Sequence, residues 1–188
     1  MQRQTLIVTN TSQLVTVAER EIEGAAGPLR VIPDGALAAR DGRIAWVGPR
    51  AAMPPALAEG ASVLDAGGKL VVPGFVDAHT HPIFAGLRAE EFCARALGQS
   101  YQELLARGDA GIMSTVHATR AASEDELLRL ARRRAESFLR HGTTTIEAKT
   151  GYGLSPEAEE KSLRVLERLR KDCLLYTSDA ADELTRVD

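Results

Sequence analysis

The hydrophobic rhythm of the chain changes near Pro73. Before it, apolar residues come in short runs such as TLIVTN and QLVTVA, separated by turn signals. Pro33-Asp34-Gly35 marks one turn and Gly67-Gly68 another. Asp41-Gly42 sits between ALAAR and RIAWVG, the pattern of a hairpin closed by a two-residue turn. Residues 1–72 are therefore predicted to form a small all-β unit, short of the size that usually stands alone. After Pro73, GFVDAHTH is nearly continuously apolar, as expected of a strand covered on both faces. Residues 89–106 read as helical. Ser123 and Glu126 make a capping box. It opens a helix to about Arg140, with Leu127, Leu130, Ala131, Ala135, Phe138 and Leu139 as its apolar stripe, and His141-Gly142 ends it. TTTIEAK, from Thr143, is a second β-rich run. Ser155 as N-cap and Pro156 at the first position start another helix to about Lys171, with Leu163, Leu166 and Leu169 facing inward. Strand, helix, strand, helix in this order predicts parallel βαβ units. Only two such strands are visible, and two parallel strands do not stand alone, so this half is expected to be incomplete.

Composition narrows the partners. The chain has 188 residues, is 44% hydrophobic, and carries 23 Lys and Arg against 26 Asp and Glu, a net charge of −3. No field of one sign points to nucleic acid or an anionic membrane. The run Arg132-Arg133-Arg134 lies in a helical pattern with Glu124, Asp125, Glu126 and Glu136, the mark of a solvated face. No apolar run approaches the roughly 18–20 residues of a membrane-spanning helix, and the first ten residues lack the features of a secretory signal. Cys93 and Cys173 lie far apart and make no disulfide framework. A reduced, cytoplasmic protein is expected.

The candidate chemistry sits in PGFVDAHTH, which holds two of the chain's four histidines, His79 and His81. Residues i and i+2 of a strand share a face, about 6.5–7 Å apart, so both imidazoles can converge on one ion at about 2.0–2.1 Å. Thr80 points the other way. Asp77 shares the histidine face one step deeper, where an acceptor can orient an imidazole. The C-terminal end of a parallel strand is where α/β proteins place their chemistry. Two ligands do not complete a catalytic zinc site, which keeps about three protein ligands and a water. His117 has no ligand partner nearby in sequence, and His141 at a helix C-terminus reads as structural.

VVPGFVDAHTHPIFAG resembles the opening of the amidohydrolase superfamily. FAGLRAEEFCARALGQSYQEL, GIMSTVHATRAAS and HGTTTIEAKTGYGL, in that order and spacing, resemble its imidazolonepropionase family from the N-terminus to about Lys171. The resemblance implies an α/β fold: the N-terminal part of a metal-dependent-hydrolase (β/α)8 TIM barrel over residues 73–172, preceded by part of a small β-sandwich-like domain over residues 1–72. It implies zinc or iron as cofactor, His79 and His81 as metal ligands, and Arg88 and Tyr152 as substrate-binding residues. An Arg suits bidentate binding of a propionate carboxylate, and a Tyr hydroxyl can donate or accept. For Arg88 the alternative is a surface ion pair with Glu90 or Glu91; for Tyr152 it is loop packing. The implied reaction is hydrolysis of the small molecule 4-imidazolone-5-propanoate to N-formimidoyl-L-glutamate in histidine degradation, by a full-length parent that is a candidate homodimer. Other cyclic-amide hydrolases or aminohydrolases of the superfamily are the nearest alternatives, and a non-catalytic barrel scaffold is the alternative of another class. Leu87 stands where the family usually has Asn, and Asp109-Ala110 where it usually has Gly-Gly. The family's later histidines and its barrel aspartate would fall beyond Lys171, so the catalytic residues themselves are not identified and the segment alone is expected to be inactive.

Residues 173–188, CLLYTSDAADELTRVD, break the pattern. One set of synonymous codons for residues 173–183 spells a transposase adapter used in preparing sequencing libraries, and residues 186–188 fit its continuation. The tail is expected to be translated adapter on a truncated gene, which would leave Cys93 as the one native cysteine. The coding DNA from residue 173 onward should then match the adapter, with an index between Glu183 and Arg186. A genomic read with unrelated codons continuing the same frame would contradict this.

Overall fold

The computed structural model describes residues 5–106, 111–172 and 176–178. The chain divides into two compact units, Met1–Pro73 and Gly74–Asp188.

Among the described residues the first unit holds seven strands: β1 (Thr5–Thr9), β2 (Gln13–Val15), β3 (Val31–Pro33), β4 (Gly35–Arg40), β5 (Arg43–Pro49), β6 (Ser62–Asp65) and β7 (Leu70–Val71). They form a four-stranded sheet in the order β5-β4-β1-β6 and a three-stranded sheet in the order β3-β2-β7. The Asp41-Gly42 hairpin forms as its sequence predicts: Arg40 opposes Arg43, and both turn residues take positive φ, 53° and 76°. That is the pairing a two-residue turn of matching twist requires. The Pro33-Asp34-Gly35 signal has a different role, because β3 and β4 belong to different sheets. The chain changes sheet at Asp34, whose carboxylate takes a two-pronged bond from Arg50, with Nε–Oδ1 and Nη2–Oδ2 both at 2.9 Å. This bond holds the Asp34 carboxyl below its usual range. Ile7, Leu14, Ile32, Ala36 and Ala38 are buried in this unit.

In the second unit three parallel strands lie in the order β10-β9-β8: β8 (Phe75–Thr80), β9 (Thr143–Ala148) and β10 (Tyr176–Ser178). The third strand falls within the segment expected to be foreign to the gene, and its backbone pairs with Thr145 to Glu147 of β9. Among the described residues five helices accompany the strands: α1 (Ala89–Ala96), α2 (Tyr101–Ala106), α3 (Ile112–Ala121), α4 (Glu124–Arg140) and α5 (Pro156–Asp172). The helical stretch expected over residues 89–106 is two helices, broken at Gly98, whose φ is 96°. Helix α3 shows no clear apolar stripe in the sequence because two of its three buried residues are Thr115 and Thr119. Thr119 Oγ1 donates to the Thr115 carbonyl at 2.8 Å and accepts from the Ala85 amide at 3.0 Å, which satisfies the buried hydroxyl inside and outside its helix.

The longer helices follow their patterns. Ser123 Oγ accepts from the Glu126 amide at 3.2 Å, but the Glu126 carboxylate pairs with Arg129 at 2.7 Å, so half of the capping box forms. At the start of α5, Ser155 Oγ lies 3.4 Å from the Ala158 amide. Leu127, Leu128, Ala131 and Ala135 from α4 meet Ile146 and Ala148 from β9 and Val165, Leu166 and Leu169 from α5 in one buried cluster. Leu163 is only half-buried. Burying each Leu or Ile here contributes roughly 1.5–3 kcal/mol before the ordering cost is counted. The cluster packs β9 against α4 and α5, which also touch each other, and so fixes where its C-terminal end emerges.

Strand β8 departs from expectation. Its apolar run predicts cover on both faces, yet Phe75 is 58% and Val76 69% exposed. Among the described residues β8 pairs only with β9 and is an edge strand. Leu87, Phe92 and Leu97 are also exposed, at 75%, 74% and 86%. An open parallel edge beside apolar surface favours association. The isolated 188-residue chain should therefore bind a hydrophobic dye and aggregate on heating without a sharp transition. A dye-negative monomer with a cooperative thermal transition would contradict this.

Candidate functional site

The site begins at the C-terminal ends of β8 and β9. Thr80 opposes Ala148, the Lys149 amide donates to the Thr80 carbonyl at 2.8 Å, and Thr80 Oγ1 donates to the Glu147 carbonyl at 2.8 Å. These bonds bury Thr80 on one face and leave His79 and His81 on the other. His79 is exposed and His81 half-buried.

The two imidazoles converge. Their Nε2 atoms lie 3.3 Å apart, with ring centroids 5.2 Å apart. His81 Nδ1 lies 2.8 Å from the Thr150 carbonyl. A carbonyl only accepts, so Nδ1 carries the proton, and Nε2 of the neutral ring keeps a lone pair directed toward His79. A metal about 2.0–2.1 Å from both nitrogens at a tetrahedral angle would set them about 3.3–3.4 Å apart. The pair thus has the spacing of two adjacent ligands, and His81 has the tautomer of one. Among the described residues no third His, Cys, Asp or Glu joins them.

The acceptor that orients His81 is the Thr150 carbonyl, whereas Asp77 lies elsewhere: its Oδ1 accepts from the His79 backbone amide at 3.2 Å. A backbone carbonyl leaves no mark in a residue pattern, so the sequence offered Asp77 instead. His117 is exposed on α3. His141 caps α4, with Nδ1 2.8 Å from the Ser137 carbonyl, in keeping with a structural reading.

Tyr152 stands close to the pair. Its ring meets His81 edge-on at a centroid distance of 5.8 Å and tilts against Phe84 at 5.3 Å. The other face of the contact is set by Arg134 of α4, whose guanidinium carbon lies 3.5 Å from the Phe84 ring centroid. Arg134 Nη1 also donates to the Pro82 and Phe84 carbonyls, both at 2.9 Å. Burial, with repulsion from Arg133, pulls the Arg134 guanidinium below its ordinary pKa. The basic run expected to be a solvated face therefore sends one arginine inward, onto the loop that follows His81.

Arg88 is exposed at the N-terminal boundary of α1. The local ion pair with Glu91 does not form, because Glu91 is buried and its Oε2 accepts from the Gly111 amide at 3.0 Å. Leu87 is exposed beside Arg88, and Asp109-Ala110 lie outside the described residues. An open hollow of about 430 Å³ is lined by His81, Pro82, Phe84, Arg134, Phe138 and His141. His79, Arg88 and Tyr152 are not among its lining residues.

The loop over residues 150–154 carries both Thr150 and Tyr152. The Glu159 carboxylate of α5 accepts from the Gly151, Gly153 and Leu154 amides at 2.8–2.9 Å. Arg120 of α3 donates to the Gly153 and Leu154 carbonyls at 2.6 and 2.7 Å. Neither residue stands out in the sequence, where both read as ordinary charges on helices.

Known proteins resemble this chain. The model described as "Amidohydrolase family" matches residues 62–111. An imidazolonepropionase from Solibacter usitatus is 52% identical over 169 residues, covering 86% of this chain and 38% of that protein. One from Myxococcus xanthus is 49% identical over 165 residues, covering 87% and 39%. The chain thus spans about two-fifths of the length of the curated relatives it matches. Among solved structures, Aspergillus niger ochratoxinase aligns with a TM-score of 0.55 at 15% identity, covering 94% of this chain and 31% of that one. A mutant atrazine chlorohydrolase from Arthrobacter aurescens, complexed with zinc and atraton, aligns with a TM-score of 0.56 at 13% identity, covering 92% and 34%. At these identities the structural likeness speaks to the fold alone.

The tightness of the 150–154 loop can be measured at Gly153. A Cβ there would lie 2.8 Å from the Ala158 carbonyl carbon and the Glu159 nitrogen, both backbone atoms that cannot easily shift. In a full-length protein carrying this segment, Gly153→Ala should cost about 1–3 kcal/mol, read from the denaturant midpoint. An unchanged midpoint would show that the loop has room.

Proposed function

The chain belongs to the imidazolonepropionase family of the amidohydrolase superfamily, and from that premise we propose that it supplies part of the metal and substrate sites of a hydrolase that opens the ring of 4-imidazolone-5-propanoate to N-formimidoyl-L-glutamate. The observation that carries the reading is the His79–His81 pair, with Nε2 atoms 3.3 Å apart and the His81 tautomer fixed by Thr150. We propose that β8, β9 and the helices between them are the opening of a (β/α)8 barrel, and that the first unit is part of a sandwich-like β domain. The exposed Phe75 and Val76 on β8 fit a strand whose neighbours lie in the remaining three-fifths of the relatives' length.

His79 and His81 would hold a zinc or iron ion through their Nε2 atoms. When bound, such an ion supplies Lewis acidity and brings the pKa of a water toward about 7. The remaining steps belong to the protein's own groups. Thr150 keeps the proton on His81 Nδ1, so that Nε2 faces the site as a lone pair. Arg88 would offer a positive fork to the propionate carboxylate, and its exposure leaves that fork open to a ligand. Tyr152, whose ring lies edge-on to His81, would offer its hydroxyl to the substrate and help orient the substrate ring for attack at its amide carbonyl. Ring opening breaks the carbonyl–nitrogen bond, and water supplies the hydroxyl to the new carboxyl group and a proton to the departing nitrogen. The product keeps the propionate group, so Arg88 can hold the substrate throughout.

In the full-length protein, His79→Ala and His81→Ala should each lose most of the bound zinc or iron and abolish ring opening, because one missing ligand leaves too few to hold the ion. Elemental analysis and the fall in substrate absorbance measure the two effects. A full metal equivalent in both variants would show that the pair is not the site.

A further inference from the structure

We infer that Glu159 is a positioning residue that sets the metal side and the substrate side of the site together, through a single clamp on the 150–154 loop. The inference rests on the reading that His81 and Tyr152 both serve the site. The loop holds two parts of that site two residues apart: the Thr150 carbonyl, which takes the His81 Nδ1 proton, and Tyr152, whose ring meets His81 edge-on. Between them, Gly151 has a φ of 132°, and a Cβ there would lie 3.5 Å from the His81 ring. The loop is thus in van der Waals reach of the imidazole it orients.

A segment of this kind needs its backbone groups satisfied to hold one shape. Glu159 does this from below. Its Oε2 accepts from the Gly151 amide at 2.9 Å, and its Oε1 accepts from the Gly153 and Leu154 amides, both at 2.8 Å. The two oxygens therefore bind on both sides of Tyr152. Arg120 closes the other side by donating to the Gly153 and Leu154 carbonyls. Lys161, two residues after Glu159, donates to the Thr119, Arg120 and Ala122 carbonyls at 2.8–3.0 Å and ties the end of α3 to α5. The loop is held by two helices, each fixed to the other.

The clamp requires a carboxylate of this length. A carboxylate is acceptor-only at both oxygens. Glutamine would turn an NH2 group toward either Gly151 or the Gly153–Leu154 pair, a donor facing a donor. Aspartate would fall short by one methylene. Both changes release the loop on one side of Tyr152 and leave His79, His81 and Tyr152 themselves intact.

The test uses the full-length protein with Glu159→Gln, Tyr152→Phe and the double variant. Zinc affinity is measured by competition with a chelator, KM and kcat with imidazolone propanoate, and folding by thermal melting. Glu159→Gln should weaken zinc binding about tenfold, the usual scale for loss of a group that orients a ligand, and raise KM about tenfold while the protein remains folded. In the Tyr152→Phe background its effect on KM should largely vanish, since the residue acts through Tyr152. If Glu159→Gln does not fold, Glu159→Asp replaces it, with the same signs expected. Zinc affinity and KM both within twofold of the parent would overturn the proposal, as would KM effects that multiply in the double variant. If the parent binds zinc but does not open the ring, the functional reading fails, and the zinc arm alone still decides whether Glu159 orients His81.

Discussion

The hydrogen bond between His81 Nδ1 and the Thr150 carbonyl, 2.8 Å long, ties together the ends of two neighbouring parallel strands. It decides which nitrogen of His81 keeps its lone pair, and it requires β8 and β9 to be in one register. Thr80 opposite Ala148, with the Lys149 amide on the Thr80 carbonyl, sets that register. A slip of one residue would turn Thr80 toward the histidine face and carry both imidazoles to the other side of the sheet. The metal pair is therefore a consequence of strand pairing as much as of the two histidines.

What keeps the strands there is packing on one side and hydrogen bonding on the other. The apolar cluster of α4, α5 and β9 fixes β9, with Ile146, Leu127, Val165 and Leu169 fully buried. The ion pairs that link α4 and α5, Arg164 with Glu124 and Arg168 with Asp125, are exposed and contribute about 0–1 kcal/mol each. Near the site the polar groups matter more, because their partners are backbone groups of the site loops. Arg134 holds the carbonyls of Pro82 and Phe84, and Glu159 with Arg120 holds residues 151–154. Each loop that leaves a strand end is thus pinned by a charged residue from a helix behind it.

Much of this is legible in the sequence where one residue type has one local use. Asp41-Gly42 specifies a turn with two positive φ angles, Ser123 and Ser155 mark helix starts, and His79 and His81 share a face because a strand repeats every two residues. Other features depend on contacts that no local pattern encodes. Helix α3 was hidden by buried threonines that satisfy their hydroxyls against the helix and the Ala85 amide. The apolar run of β8 predicts burial, but burial depends on neighbours, and Phe75 and Val76 have few among the described residues. Thr150 acts through its carbonyl, so its side chain says nothing of the role. Glu159 and Arg120 look like solvated helix charges until the loop over residues 150–154 is folded against them.

Anomalous diffraction at the zinc and iron edges, from crystals of the full-length protein grown with its native metal, tests the central claim most directly. The account expects a peak about 2.0–2.1 Å from Nε2 of both His79 and His81, with His81 Nδ1 still bonded to the Thr150 carbonyl. A peak bound through Nδ1 of either ring, or a metal held at another place with both imidazoles free of it, would contradict it.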